Sequence, residues 1–339
     1  MRRDPGGAIS AASLPRVAVL DDYLGVSQEL ADWSVLKGLC QVDVFRHALP
    51  ELDQAAKALA PYDVLCHLRE RTAMPRTLIE RLPNLKFMTV TGKAHRTMDL
   101  TAATERGIAV TNVSTHLKAS NATPEMTWAL ILAAARHVPF EDRQLRAGRW
   151  QNTLGLLLDG KTLGLVGLGR VGQRVAAIGQ AFGMQVIAWS PNLTTEAASV
   201  FGVQRVDKEA LFAQSDVLSV HVVLSERSRH LVGRTELALM KRTALLVNTA
   251  RGPIVDEAAL VEALASGRLA GAGLDVFEQE PLAHDHPLCT MDQVVLTPHL
   301  GYGTRETFEG FYRSTVQGLL AYFKGEALEL LNPQVRSAA

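Results

Sequence analysis

From Val17 onward, short apolar runs alternate with helix-length segments, and no other feature restricts the fold as much. The runs are VAVL (17–20), VDVF (42–45), DVLC (63–66), LKFMTV (85–90) and IAVTNV (108–113). Each is too short for a helix and is followed by a stretch of helical period. Strands that alternate with helices imply parallel sheets covered by helices on both faces. Between Ala119 and Trp150 the pattern becomes long, Ala-rich and helical, with Pro124 near its start and Pro139 in its middle. Proline lacks an amide hydrogen and clashes with the preceding turn, so Pro139 predicts a break and two helices. A second alternating series follows: LGLV (163–166), MQVIAW (184–189), VLSVHV (217–222), ALLVN (244–248), LAGAGLDV (269–276) and VVLTP (294–298). Residues 304–323 are helical in pattern and are expected to pack back on the first series. Two series in 339 residues predict an α/β chain with two cores.

Charge and cysteine content exclude several functions. Lys plus Arg and Asp plus Glu both number 35, so no general field draws in nucleic acid or an anionic membrane. Cys40, Cys66 and Cys289 are far apart, which supports neither a metal site nor a disulfide framework. No stretch approaches the ~20 apolar residues of a membrane span. The start, MRRDPGGAISAASLP, has arginines but no apolar segment after them. It reads as a flexible tail over residues 1–13 rather than a signal peptide, which points to the cytoplasm.

Gly167-Leu168-Gly169-Arg170-Val171-Gly172 fits G-x-G-x-x-G. The pattern is weak alone, but here it follows a strand and opens a helix. The first glycine permits the tight turn, the second lets backbone approach a pyrophosphate, and the third lets the helix pack close to its strand. Free amides at the helix start, Arg170 and Val171 among them, would meet the phosphates. The cofactor is therefore NAD or NADP. An acidic residue about 20 positions on would select NAD through the ribose 2′-hydroxyl. That place is held by Ser190, followed by Pro191, Asn192, Leu193 and Thr194. Ser190, Asn192 and Thr194 are neutral groups that suit either cofactor.

Three segments at strand ends carry charged or titratable groups: Asn248-Thr249-Ala250-Arg251-Gly252, Leu274-Asp275-Val276-Phe277-Glu278-Gln279-Glu280-Pro281, and Thr297-Pro298-His299-Leu300-Gly301. Ligands of open α/β sheets bind outside the carboxyl ends of the strands. Reduction of a 2-keto acid needs a cation for the carboxylate and an acid for the carbonyl oxygen. The fork of Arg251 suits the first task. His299 suits the second, since imidazole titrates near neutrality. Glu280 beside it would favour the imidazolium and orient the ring.

With these residues, the chain resembles the D-isomer-specific 2-hydroxyacid dehydrogenase family. The matching motifs are GKTLGLVGLGRVG (160–172), NTARG (248–252), LDVFEQEP (274–281) and TPHLG (297–301). The resemblance implies that Arg251 binds substrate, that Glu280 pairs with His299, and that His299 is the general acid/base. It implies that Asp275 contacts the nicotinamide amide. Ser219-Val220-His221-Val222 resembles the family's adenine-side stretch, with Val223 where the family usually has Pro. Thr249 and His221 join the cofactor-binding set on this basis. The implied fold has two Rossmann-like domains, the cofactor domain (117–300) being inserted into the substrate domain (14–116 and 301–335). A homodimer is implied, with the helices of 119–150 as its contact, and no metal is implied.

The first half departs from the family. Its glycine-rich substrate loop reads Val90-Thr91-Gly92-Lys93-Ala94-His95-Arg96-Thr97-Met98-Asp99, and its Asn-x-Pro-Gly turn reads Asn112-Val113-Ser114-Thr115. Backbone amides of Gly92 and Lys93 are the expected carboxylate ligands. Three basic side chains, Lys93, His95 and Arg96, favour a substrate with a second anionic group; a solvated basic loop is the alternative. The chain is short for the regulatory domains of larger phosphoglycerate dehydrogenases, which favours a reductase of glyoxylate or hydroxypyruvate type. Formate dehydrogenases share the fold but pair their His with Gln, so Glu280 argues against that activity. Phosphite oxidation by a similar triad stays open. So does an NAD(H)-sensing binding protein like the co-repressors that resemble this family.

Overall fold

The computed structural model describes residues 14–92, 95–113 and 122–337. The chain divides into two units, Met1–Leu117 with Arg305–Ala339, and Lys118–Thr304.

The first unit holds five parallel strands: β1 (Arg16–Val19), β2 (Gln41–Val44), β3 (Val64–His67), β4 (Phe87–Thr91) and β5 (Ala109–Val113). Their order is β2-β1-β3-β4-β5. The chain moves out from β1 to the edge and then returns past it, which leaves a switch point between β1 and β3. Strands β3 and β4 are buried throughout, as expected of uninterrupted apolar runs in a sheet covered on both faces. The helix Arg305–Phe323 belongs to this unit and lies on β4 and β5. Tyr322 stacks on Phe87 with centroids 4.1 Å apart. After the helix, buried Asn332 donates to the Ile108 carbonyl (2.9 Å) and accepts from the Val110 amide (2.9 Å). The side chain thereby satisfies edge groups of β5 that a further strand would otherwise satisfy.

The second unit holds seven parallel strands: β6 (Thr162–Val166), β7 (Gln185–Trp189), β8 (Gln204–Arg205), β9 (Val217–Val220), β10 (Leu245–Asn248), β11 (Gly271–Leu274) and β12 (Val294–Leu296). The order β12-β11-β10-β9-β6-β7-β8 puts the switch point between β6 and β9, where dinucleotides bind in this topology. The apolar pattern does not predict β8. Both its residues are exposed, and it exists through pairing with Ile187 and Ala188. The helix Ala122–Ala135 seats against β11, where a Cβ on Gly273 would stand 3.0 Å from that of Leu130. Trp128 fixes the helix to the next layer, donating its indole N–H to the Val175 carbonyl and stacking on Phe182.

Two helices do occur across the Pro139 region, but the break lies earlier than the sequence suggests. Ala122–Ala135 ends before left-handed His137 (φ 51°), and Pro139 is the second residue of Val138–Arg146. A first-turn amide has no helical acceptor, so proline is tolerated there and starts the helix. Among the described residues, no helix is long and apolar enough to cross a membrane, and no group of three His, Cys, Asp or Glu could hold a metal ion.

Candidate active site

The glycine loop spans the end of β6 and the start of the helix Arg170–Ala181. Gly167 has φ 100°, and its amide donates to the Trp189 carbonyl (2.8 Å). A Cβ at Gly167 would lie 2.8 Å from the His221 carbonyl, and one at Gly172 would lie 2.3 Å from the Gly167 carbonyl. Those two glycines are required by the protein itself. Gly169 differs, because a Cβ there would meet nothing within 4 Å. Open space above this residue, beside the first amides of a twelve-residue helix, fits a cofactor pyrophosphate. His221 lies against the loop, and its ring pairs with Ser219 Oγ at 2.9 Å. Burial pushes this imidazole down to about 3, which keeps it neutral.

The loop after β7 offers less than its composition suggests. Thr194 is committed to capping the next helix, its hydroxyl accepting from the Ala197 amide. Ser190 closes a turn through its carbonyl and the Leu193 amide. Across from them, Arg205 on β8 donates Nε to the Leu193 carbonyl (3.3 Å) and faces Asp207 at 3.4 Å. The sequence gives no sign of this arginine's place, because only the pairing of β8 brings it to the loop.

Arg251, Glu280 and His299 converge at the carboxyl ends of β10, β11 and β12. Glu280 Oε2 lies 2.6 Å from His299 Nδ1, and Glu280 Oε1 accepts from the Phe277 amide at 3.0 Å. Burial would push the Glu280 carboxyl up. The bond to His299, the Phe277 amide and the nearby charge of Arg251 outweigh this and hold it below the usual range. The turn of Arg251 is tied by Asn248, whose Nδ2 donates to the Arg251 carbonyl (3.0 Å) and whose Oδ1 accepts from the Ala250 amide (3.0 Å). The guanidinium bonds the Ala250 carbonyl at 2.7 Å. Gly252 then passes so close to Phe277 and Glu278 that a Cβ would lie 1.9 Å from the Phe277 carbonyl.

The carboxylate of Asp275 is turned toward the His299 turn. It accepts from Thr297 Oγ1 (2.6 Å), the Leu300 amide (2.7 Å) and the Gly301 amide (2.7 Å). Burial nonetheless pushes it up. These bonds anchor the turn in which His299 takes a left-handed conformation (φ 54°). Thr249 bonds Thr127 hydroxyl to hydroxyl at 2.8 Å, both groups being buried.

In the first unit, Gly92 has φ 102°, and Nη1 of Arg69 lies 2.2 Å from where its Cβ would stand. Arg69 is itself left-handed (φ 60°), and its amide donates to Thr91 Oγ1 (2.7 Å). Lys93 lies outside the described residues. The expectation of a basic loop needs correction. His95 is 7% exposed, its ring packs edge-on to His67 at 5.1 Å, and burial lowers its proton affinity. It is a buried neutral ring. Arg69, just after β3, is a cation beside Gly92 among the described residues, placed there by the pairing of β3 with β4.

The model of the D-isomer specific 2-hydroxyacid dehydrogenase NAD binding domain matches residues 128–301. A glyoxylate reductase of Aeropyrum pernix is 43% identical over 284 residues, covering 78% of this chain and 84% of the relative. A D-3-phosphoglycerate dehydrogenase of Methanocaldococcus jannaschii is 36% identical over 312 residues, covering 91% of this chain but 57% of that longer protein. Among solved structures, a putative D-3-phosphoglycerate dehydrogenase from Ralstonia solanacearum superposes with a TM-score of 0.88 at 37% identity, covering 94% of this chain and 97% of the other.

Proposed function

Since the chain belongs to the D-isomer specific 2-hydroxyacid dehydrogenase family, we propose that Arg251, Glu280 and His299 are its catalytic residues and that its substrate is a small 2-keto acid of the glyoxylate or hydroxypyruvate kind. The observation that carries this reading is the 2.6 Å contact between Glu280 and His299 Nδ1, at the carboxyl edge of the sheet that bears the glycine loop. Because Nδ1 faces Glu280, Nε2 is the nitrogen left to act on substrate. A bound nicotinamide supplies the hydride. His299 holds a proton on Nε2 and releases it to the carbonyl oxygen as the carbon is reduced; the same atom takes it back in the oxidising direction. Arg251 binds the substrate carboxylate and draws electron density from the carbonyl. Glu280 keeps the ring oriented and offsets its charge. The Aeropyrum relative's name supports glyoxylate as substrate.

The cofactor reading is NADP as well as NAD, because the loop 190–194 carries no carboxylate to repel a 2′-phosphate and Arg205 stands beside it. A homodimer is the assembly we infer. Trp150, Leu154 and Leu157 are 77%, 96% and 73% exposed in one short stretch, a surface that a second copy would cover.

The deciding assay mixes the protein with NADH or NADPH and follows 340 nm absorbance against glyoxylate, hydroxypyruvate, pyruvate, phenylpyruvate and 2-ketoglutarate. Oxidation with glyoxylate or hydroxypyruvate is expected. Tight cofactor binding without turnover on any of the five would favour a sensing role instead.

A further inference from the structure

Glu280 sits on a short loop, Phe277–Glu280, that belongs to no helix or strand. Its aim at His299 depends on what holds that loop. One support is Gly252, described above. A second is a set of charged side chains on the far side. The carboxylate of Glu257, the first residue of the helix Glu257–Ala265, accepts the Glu278 backbone amide at 3.0 Å through Oε2. Its other oxygen meets His286 Nε2 at 3.2 Å. The Leu288 amide donates to His286 Nδ1 at 3.3 Å, which leaves Nε2 as the protonated nitrogen. His286 therefore donates from Nε2 to Glu257, and Glu257 is fixed at both oxygens. The Glu278 side chain is gripped in turn, by Arg229 Nη1 at 3.0 Å and His230 Nε2 at 3.6 Å. Those two residues lie on a strap that runs along the Arg251 turn, with the His230 amide bonded to the Pro253 carbonyl (2.8 Å) and the Val232 amide to the Ile254 carbonyl (3.1 Å).

We infer that Glu257 is a positioning residue for the Glu280–His299 pair. It acts through the Glu278 amide and touches neither reacting group. The inference rests on the roles proposed for Glu280 and His299. The physical reason is geometric. A carboxylate oxygen that accepts a backbone amide fixes that peptide plane, and Glu280 lies two residues farther along. A hydrogen bond of 2.6 Å to Nδ1 is lost by a small displacement, whereas the bulk of the fold does not depend on it.

The test is a pair of variants read in two ways. A short charge-assisted N–H···O bond gives a strongly deshielded proton resonance, which loss in His299→Gln assigns to His299. In Glu257→Ala that resonance is expected to vanish or broaden, and kcat with glyoxylate to fall by about ten- to a hundredfold, the size of effect a misplaced catalytic group produces. The dissociation constant of NADH is expected to change much less. Glu257→Gln keeps one acceptor for the Glu278 amide and removes the fold risk of a truncated helix start. It should recover part of both signals. An unchanged resonance and an unchanged kcat in Glu257→Ala overturn the inference. If the resonance is lost but wild type reduces none of the keto acids, Glu257 still positions the pair, and the proposed reaction is what fails.

Discussion

The two units use one architecture for different ends. Each is a parallel sheet whose carboxyl edge carries histidine, arginine and acidic side chains, yet the edges are finished differently. In the second unit nearly every such group has a named partner: His299 has Glu280, Asp275 has Thr297 and two amides, and His221 has Ser219. In the first unit, buried His67 at the end of β3 has no hydrogen bond on either nitrogen among the described residues, and a cavity of about 10 Å³ lies beside it. Asp21 and Arg69 both sit in left-handed backbone at the ends of β1 and β3. The difference teaches that an edge is readable when each of its residues lies in its own short motif at a strand end, even where partners are some twenty residues apart. An edge whose single residues lie in no such motif leaves no signature.

That contrast can be broken most directly at the second edge. His299→Ala should lower turnover by about 10²–10⁴ if the proton leaves from this ring, and a loss of tenfold or less, measured at 340 nm, would remove it from the role. Next in size are the glycines. Gly172→Ala should lower the melting temperature by several degrees, because its Cβ overlaps the Gly167 carbonyl. Gly169→Ala should leave melting nearly unchanged and weaken NADH binding, which fluorescence titration would report. Equal melting for both variants would refute the division of labour in the loop. Smaller again is a pair that sets the two edges side by side. Thr297→Val strips Asp275 of a partner and should cost about 1–3 kcal/mol in denaturant unfolding. His67→Leu removes a ring that makes no hydrogen bond among the described residues and should change stability by less than about 1 kcal/mol. A larger loss at His67 than at Thr297 would reverse the comparison.

A last effect is read as a slope with pH. His221 is pushed from 6.5 down to about 3 by burial, so the folded state binds fewer protons than the unfolded chain. Its contribution to stability is complete above about pH 6.5 and is lost as pH falls from there toward about 3. His221→Gln should therefore flatten the decline of melting temperature over that window. An unaltered slope would show that the ring is hydrated.

Most of the fold was legible because buried parallel strands must be apolar on both faces, which makes each one a visible run. β8 escaped because an edge strand of two exposed residues needs no such run. The grouping of Arg251, Glu280 and His299, the triad proposed above, was legible because each follows a strand end within a short motif. Arg69, Arg205 and Glu257 were not. Each lies against a neighbour from another part of the chain: Gly92, the Leu193 carbonyl and the Glu278 amide. His95 was misread as a surface base because its burial depends on packing against His67, which no local pattern encodes.

The placement of the helix Arg305–Phe323 in the first unit bears on how the chain is made. The strands β4 and β5 leave the ribosome early, but the helix that covers them emerges only after the whole second unit, about 190 residues later. At ordinary synthesis rates that delay is on the order of ten to forty seconds. By the end of that interval the second unit has all of its strands and can close its core, while the first still waits with one apolar face uncovered. The nascent chain is thus most vulnerable to aggregation at β4 and β5, and emergence of Arg305–Phe323 is the event that ends the exposure.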